Sequence, residues 1–206
     1  MYIPAHFAEP DVGTLHQFIE QHPFGLLVSR HDGELCASHL PFLLERSVCS
    51  NGTLLGHVAR QNPQWHQLVG QQVLVVFHGP HAYISPTWYR AQRVVPTWNY
   101  VAVHAYGPVE LIEEPGALIE LLRELTRVSE QAMPSPWTFD PADPFVQKLA
   151  TQIVAFRIPI DRIEGKWKLN QNHPAERRQR VIAALRGQGG EDAGELAEMM
   201  ERGLPG

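Results

Sequence analysis

Residues 24–45 read FGLLVSRHDGELCASHLPFLLE, two apolar runs joined at Asp32-Gly33. Asp and Gly together tolerate the left-handed backbone that a tight turn between paired strands requires, so the stretch predicts a β-hairpin. Further strand candidates follow along the chain: GTLLGHVA (52–59) behind a second such signal at Asn51-Gly52, then QQVLVVFHG (71–79), AYIS (82–85) and TWNYVAVHAYGPVELI (97–112). QIVAFRIPIDRIEGKWKL (152–169) returns to the same patterning. Several short strands punctuated by turns favour an antiparallel barrel or sandwich.

Helices flank this β structure. Asp11 can cap a short helix in which Leu15, Phe18 and Ile19 share a face, and Pro23 stops it. Leu118, Leu121, Leu122, Leu125 and Val128 give residues 116–130 helical periodicity behind Glu113, Glu114 and Pro115. MPSPWTFDPADP (133–144) reads as a proline-rich loop. Beyond Pro174, Val181, Ile182 and Leu185 mark a further helix with Gly187 as its stop, and residues 189–206 predict a weak helix behind a Gly189-Gly190 hinge. The fold class is therefore mainly β with flanking helices, α+β.

The chain has 206 residues, 44% of them apolar and 19% charged, enough for one main domain. With a formal charge of -5 no global positive field draws it to nucleic acid, so DNA binding would need a local patch. Arg177, Arg178, Arg180 and Arg186 on the late helix supply the one candidate. No apolar run is long enough to span a bilayer, and MYIPAHFAEP lacks the features of a signal peptide, which predicts a cytoplasmic protein. Cys36 and Cys49, without a C-x-x-C neighbour, read as two reduced thiols. Ten of the eleven histidines precede residue 105 without metal-ligand spacing, so no metal site is expected and haem ligation ranks low.

Four segments could carry chemistry. YISPTWYRAQRVVPTWNYVAVHAYG (83–107) concentrates two of the five tryptophans and four of the five tyrosines, either as core or as a platform for a planar ligand. In ARQNP (59–63), Arg60, Asn62 and the helix start behind them could bind a phosphate, or Asn62 could simply cap. ELCASHLPFLL (34–44) places Ser38 and His39 on opposite strand faces before Pro41 interrupts the ladder, a ligand edge or an ordinary edge strand. GKWKLNQN (165–172) puts Lys166 and Lys168 on one face and Trp167 on the other, suggesting an anion or an edge protected by lysine. A ring platform, a helix-start anion site and a lysine pair are the parts needed to hold a phosphorylated planar cofactor.

The succession MYIPAHF, SHLPF, GHVARQNPQW, GPHAYISPTWY, VPTWNYVAVHAYG and KWKLNQN resembles the PaiB-like family of FMN-binding negative transcriptional regulators, from the first residues to about residue 186. That family is similar to the FMN-binding split-barrel superfamily, with its pyridoxamine phosphate oxidases and flavin reductases. The resemblance implies an antiparallel split β-barrel over residues 1–172, including the 116–132 helix, with residues 173–206 as a helical C-terminal extension of the same domain. It also implies a homodimer with FMN between the subunits. Arg60 and Asn62 would approach the FMN phosphate, with His57 and Val58 on the preceding strand. Ser38, His39 and Leu40 would border the isoalloxazine edge, Trp98, Asn99 and Tyr100 would reach the flavin of the other subunit, and Lys166 and Lys168 would close the site. The chain departs from the family pattern K-L-S-Q-N at Asn170, which stands where serine is expected. A negative transcriptional regulator is the function so implied; an FMN-dependent oxidoreductase acting on a small molecule is the alternative.

Overall fold

Asp32 and Gly33 both sit at positive φ, 52° and 84°. This mirror-image geometry matches the twist of paired strands, and the turn joins β2 (Phe24–His31) to β3 (Glu34–Pro41) in register His31↔Glu34 through Phe24↔Pro41. The computed structural model describes residues 1–204. The chain divides into two compact units: a first made of Met1–Leu15, His78–His104 and the chain from Glu164 onward, and a second made of His16–Phe77 and Ala105–Ile163.

In the second unit the hairpin continues to β6 (Gln72–Ile84), whose Leu74, Val75 and Val76 pair antiparallel with Val28, Leu27 and Leu26. β3 lies at the edge, where the missing N–H of Pro41 does least damage to a ladder. A second antiparallel sheet runs β4 (Leu43–Glu45), β5 (Thr53–Ala59), β9 (Ile153–Pro159), β8 (Glu110–Ile112). Helix α2 (Pro115–Glu130) covers it, with Leu118, Leu121 and Leu125 against Leu43, Leu55, Ile112 and Ala155. Gly107 is obligatory beside this sheet, because a Cβ there would lie 2.0 Å from the Pro159 carbonyl oxygen.

In the first unit the strand order is β1 (Ala8–Glu9), β10 (Arg162–Lys168), β7 (Thr97–Pro108), β6, through the parts of those strands that belong to it. Helix α4 (Ala175–Gln188) buries Val181, Ile182 and Leu185 as expected, and α5 (Glu191–Arg202) packs against it with Leu196, Ala197 and Met200 fully buried. Helix α1 (Val12–Gln21) starts as read: the Asp11 carboxylate accepts from the Thr14 backbone N–H at 2.7 Å.

Several details differ from the expectations. QQVLVVFHG and AYIS form one continuous strand, β6. At Asn51-Gly52 only the glycine has positive φ, 81°. The chain from 46 to 52 makes a longer connection, and Asn51 Nδ2 donates to the carbonyls of Ile160 and Asp161. Gly187 does not stop α4; the helix continues to Gln188 and ends at Gly189, φ 73°. The proline-rich loop gives way at Pro144 to a helix, α3 (Pro144–Ala150), capped by Asp143. The stretch read as a weak terminal helix is a packed one over 191–202, and its last two residues lie outside the described residues. Among the described residues no helix is long and apolar enough to cross a membrane.

Candidate functional site

In the second unit, the chain leaves β5 at Ala59 and enters a short 3-10 turn at Pro63–Gln67. Asn62 caps that turn, its Oδ1 accepting from the Gln64 N–H at 3.0 Å, while its Nδ2 donates to Ser38 Oγ at 3.0 Å. Ser38 in turn donates to Gln64 Oε1 at 2.6 Å, and Gln64 Nε2 donates to Ser29 Oγ at 2.8 Å. Ser38 and Asn62 thus bond each other directly, and both bond Gln64, a fully buried residue that the sequence reading missed. A glutamine behind Asn-Pro carries no pattern that would have found it.

Arg60 is exposed, and its Nε and Nη2 donate to the carbonyls of Thr151 and Ile153 at 2.8 and 3.0 Å. Its guanidinium also lies 5.7 Å from the Trp65 ring centroid. These bonds fix the fork and leave Nη1 outside them. His57 faces Ala155 across β5 and β9, with Nδ1 buried and unpartnered, and burial holds its pKa below the ordinary histidine value. It is a neutral imidazole at physiological pH. Val58 is core. His39 is exposed with its ring stacked near Phe24, and Leu40 is half-buried opposite Gly25. The alternation of β3 does place Ser38 and His39 on opposite faces.

In the first unit, Lys166 and Lys168 share a face of β10, and both ammonium groups approach the Tyr100 ring, at 5.2 and 6.0 Å from its centroid. Lys166 is buried and donates to the Tyr2 carbonyl at 3.0 Å. Lys168 donates to Thr97 Oγ1 at 2.5 Å and to the Trp98 carbonyl at 2.8 Å. Burial, and then the charge of Lys166, lower the Lys168 pKa. Trp98 is 53% exposed and stands with His81 and Tyr83, so it is no core residue. Asn99 is buried, its Nδ2 against Met200 Sδ and its Oδ1 without a partner.

Of the basic cluster on α4, Arg178 is buried, Arg177 and Arg180 are half-buried and Arg186 is exposed. Arg177 Nη1 donates to His173 Nδ1, and its guanidinium stacks over Tyr89. Arg178 is buried and donates to the carbonyls of Met200 and Gly203 at the end of α5. Arg180 bonds the Tyr89 carbonyl and Glu176, and Arg186 pairs with Glu201. The carbonyl partners of Arg178 and Arg180 lie far along the chain where no local pattern reveals them, whereas His173–Arg177 and Glu176–Arg180 are four residues apart.

Residues 1–162 match the family model described as "Putative FMN-binding domain". The chain is 35% identical over 206 residues to the protease synthase and sporulation protein PAI 2 of Bacillus subtilis, covering 98% of this chain and 97% of that protein. It is 33% identical to an uncharacterized protein of Aspergillus fumigatus, over 88% of this chain and 89% of the other. Among solved structures it resembles the FAD and heme binding protein of Mycobacterium smegmatis, with TM-score 0.61, 17% identity, and 89% and 80% of the two chains covered. It also resembles the flavocytochrome Anf3 of Azotobacter vinelandii, with TM-score 0.63, 15% identity, and 81% and 72% covered; at these identities both show the fold. With the family match spanning most of its length and a full-length relative at 35% identity, the chain belongs to the PaiB-like family of FMN-binding split-barrel proteins, and FMN is its cofactor.

Proposed function

We propose that the protein works as a homodimer with FMN held between the subunits, and that the flavin acts on a small molecule. FMN offers a phosphate dianion and a ring edge rich in acceptors. The candidate residues fit it: Arg60, Lys166 and Lys168 are cationic, and Ser38 and Asn62 add neutral hydrogen-bonding groups. In this reading Arg60 and Asn62 bind the phosphate beside His57 and Val58, and Ser38, His39 and Leu40 border the ring edge. Trp98, Asn99 and Tyr100 reach the flavin of the other subunit, with Lys166 and Lys168 closing the site. When bound, FMN supplies the redox chemistry; the protein binds, orients and excludes water.

One observation carries the reading. Lys166 and Lys168 crowd one ring, Tyr100, and their hydrogen bonds run to the Tyr2 and Trp98 carbonyls and the Thr97 hydroxyl, all neutral, so a bound flavin would bring the pair an acceptor of opposite charge. The exposed patch of Trp98 and Tyr83 is the kind of surface a second subunit covers. The free thiols Cys36 and Cys49 suit a reducing compartment, and the cytoplasm is proposed on that ground.

A second reading, negative transcriptional regulation, follows from the family resemblance and is supported by the likeness to PAI 2 over nearly the whole chain. The burial of Arg178 and the internal bonds of Arg177 and Arg180 argue against α4 as its DNA surface. Equilibrium dialysis tests the site. FMN should bind at least about tenfold more tightly than riboflavin, since charge-assisted bonds to the phosphate contribute about 1.5–3 kcal/mol each. Equal affinities would remove the phosphate site. Reduction of the bound flavin by a nicotinamide donor, with no DNA retained at low salt, would select the oxidoreductase reading over the regulator.

A further inference from the structure

The first unit contains a cleft of about 300 Å³ whose lining shares only Lys168 with the proposed flavin contacts. Its apolar walls are Phe7, Tyr89, Val94 and Val95. Its polar lining is Arg93, Thr97, Lys168, Asn170, Asn172, His173 and Arg177, four basic side chains and no carboxylate. This volume lies at the lower end for ligand pockets and suits a molecule with one small ring.

The polar groups are arranged as donors. Arg177 is always protonated, so its Nη1 donates to His173 at 2.9 Å and the Nδ1 there must accept. The imidazole is then neutral with its proton on Nε2, in agreement with burial and Arg177 holding its pKa below the ordinary value. Its ring lies 5.1 Å from that of Tyr89, nearly parallel, and the Arg177 guanidinium lies 5.5 Å from the same ring centroid. Lys168 has two of its three N–H groups engaged, by Thr97 and Trp98. Arg93 reaches the cleft from an exposed loop position at φ 57°, a conformation that non-glycine residues rarely adopt.

We infer that this cleft binds a small organic anion, a flat apolar body carrying one acid group, as a ligand separate from FMN. Val94 and Val95 take the body; Arg93, Arg177 and the His173 Nε2–H take the acid group. The inference rests on the proposed flavin site in leaving Lys168 to the flavin and the FMN phosphate to Arg60 and Asn62, so that Arg93 and Arg177 serve the second ligand.

Calorimetric titration with benzoate, and with benzamide as a neutral molecule of the same shape, tests it. FMN-loaded protein should bind benzoate at least about tenfold more tightly than benzamide, with the flavin retained. Arg93→Asn, which suits positive φ, and Arg177→Gln should each weaken benzoate by about tenfold and leave flavin content and benzamide unchanged. The inference is overturned if benzoate fails to bind, if the two probes bind alike, if both variants bind benzoate normally, or if benzoate expels FMN. Should the chain take up no flavin, the flavin reading fails on its own, and the same titration of the FMN-free protein still decides the cleft.

Discussion

Asn170 Nδ2 donates to the Tyr89 hydroxyl at 3.1 Å, and the two residues are 2% and 1% exposed. Asn170 also holds φ at 62°, where asparagine is several-fold enriched and serine is not. The departure from the family's serine therefore supplies both a tolerated backbone and a buried donor. Asn170→Ser should lower unfolding free energy by about 1–2 kcal/mol, read by urea denaturation, with a smaller loss in a Tyr89→Phe background. Equal losses in the two backgrounds would separate the residues energetically.

Arg178 is the cation that the C-terminal helix depends on. Its guanidinium satisfies the Met200 and Gly203 carbonyls from a buried position. Arg178→Ala should detach α5, giving rapid proteolysis near Gly189-Gly190 and a lower melting temperature, whereas Arg186→Ala, losing only an exposed pair with Glu201, should change little. A normal digestion pattern for Arg178→Ala would contradict this.

What the sequence could show depended on how local the cause is. The Asp32-Gly33 hairpin was legible because two adjacent residues suffice to specify its turn, whereas at Asn51-Gly52 the asparagine is spent on distant carbonyls and the same dipeptide means something else. Helix α5 was undervalued, although Ala193, Leu196, Ala197 and Met200 already had core spacing; its stability comes from packing on α4, not from propensity. The lysine pair was readable from strand alternation. Gln64 and the carbonyl partners of Arg178 and Arg180 were not, since their contacts lie far along the chain or on backbone atoms.

Acid should weaken the fold through His57 and His173. Both have pKa values lowered by burial, His173 also by Arg177, so below the unfolded value of about 6.5 the unfolded chain binds more protons. Stability is then full above that pH and falls as pH drops through it. Denaturation midpoints across this window should show the slope, and His57→Gln should flatten part of it; a midpoint independent of pH would contradict the neutral, buried imidazole.

Lys168, with its pKa lowered by burial and by Lys166, should be acylated faster than the exposed Lys148 at mildly alkaline pH. Peptide mapping after brief acetylation should show that order, and FMN should slow the reaction at Lys168 but not at Lys148. Uniform modification with or without FMN would remove Lys168 from the flavin site.

The central claim is that FMN sits in a site completed by a second subunit, and Trp98 is where cofactor and assembly meet. Its ring is 53% exposed beside Tyr83 and His81, so truncation should cost contact with partner and flavin rather than core packing. A ligand that prefers the dimer must favour its formation by the same free energy. The direct measurement is sedimentation velocity of wild type and Trp98→Ala, followed in the visible band of the flavin. The account predicts flavin travelling with a wild-type dimer, and a Trp98→Ala protein shifted toward monomer with less flavin and partly restored by added FMN. Fully loaded flavin travelling with a monomer, or a Trp98→Ala dimer with full occupancy, would contradict it.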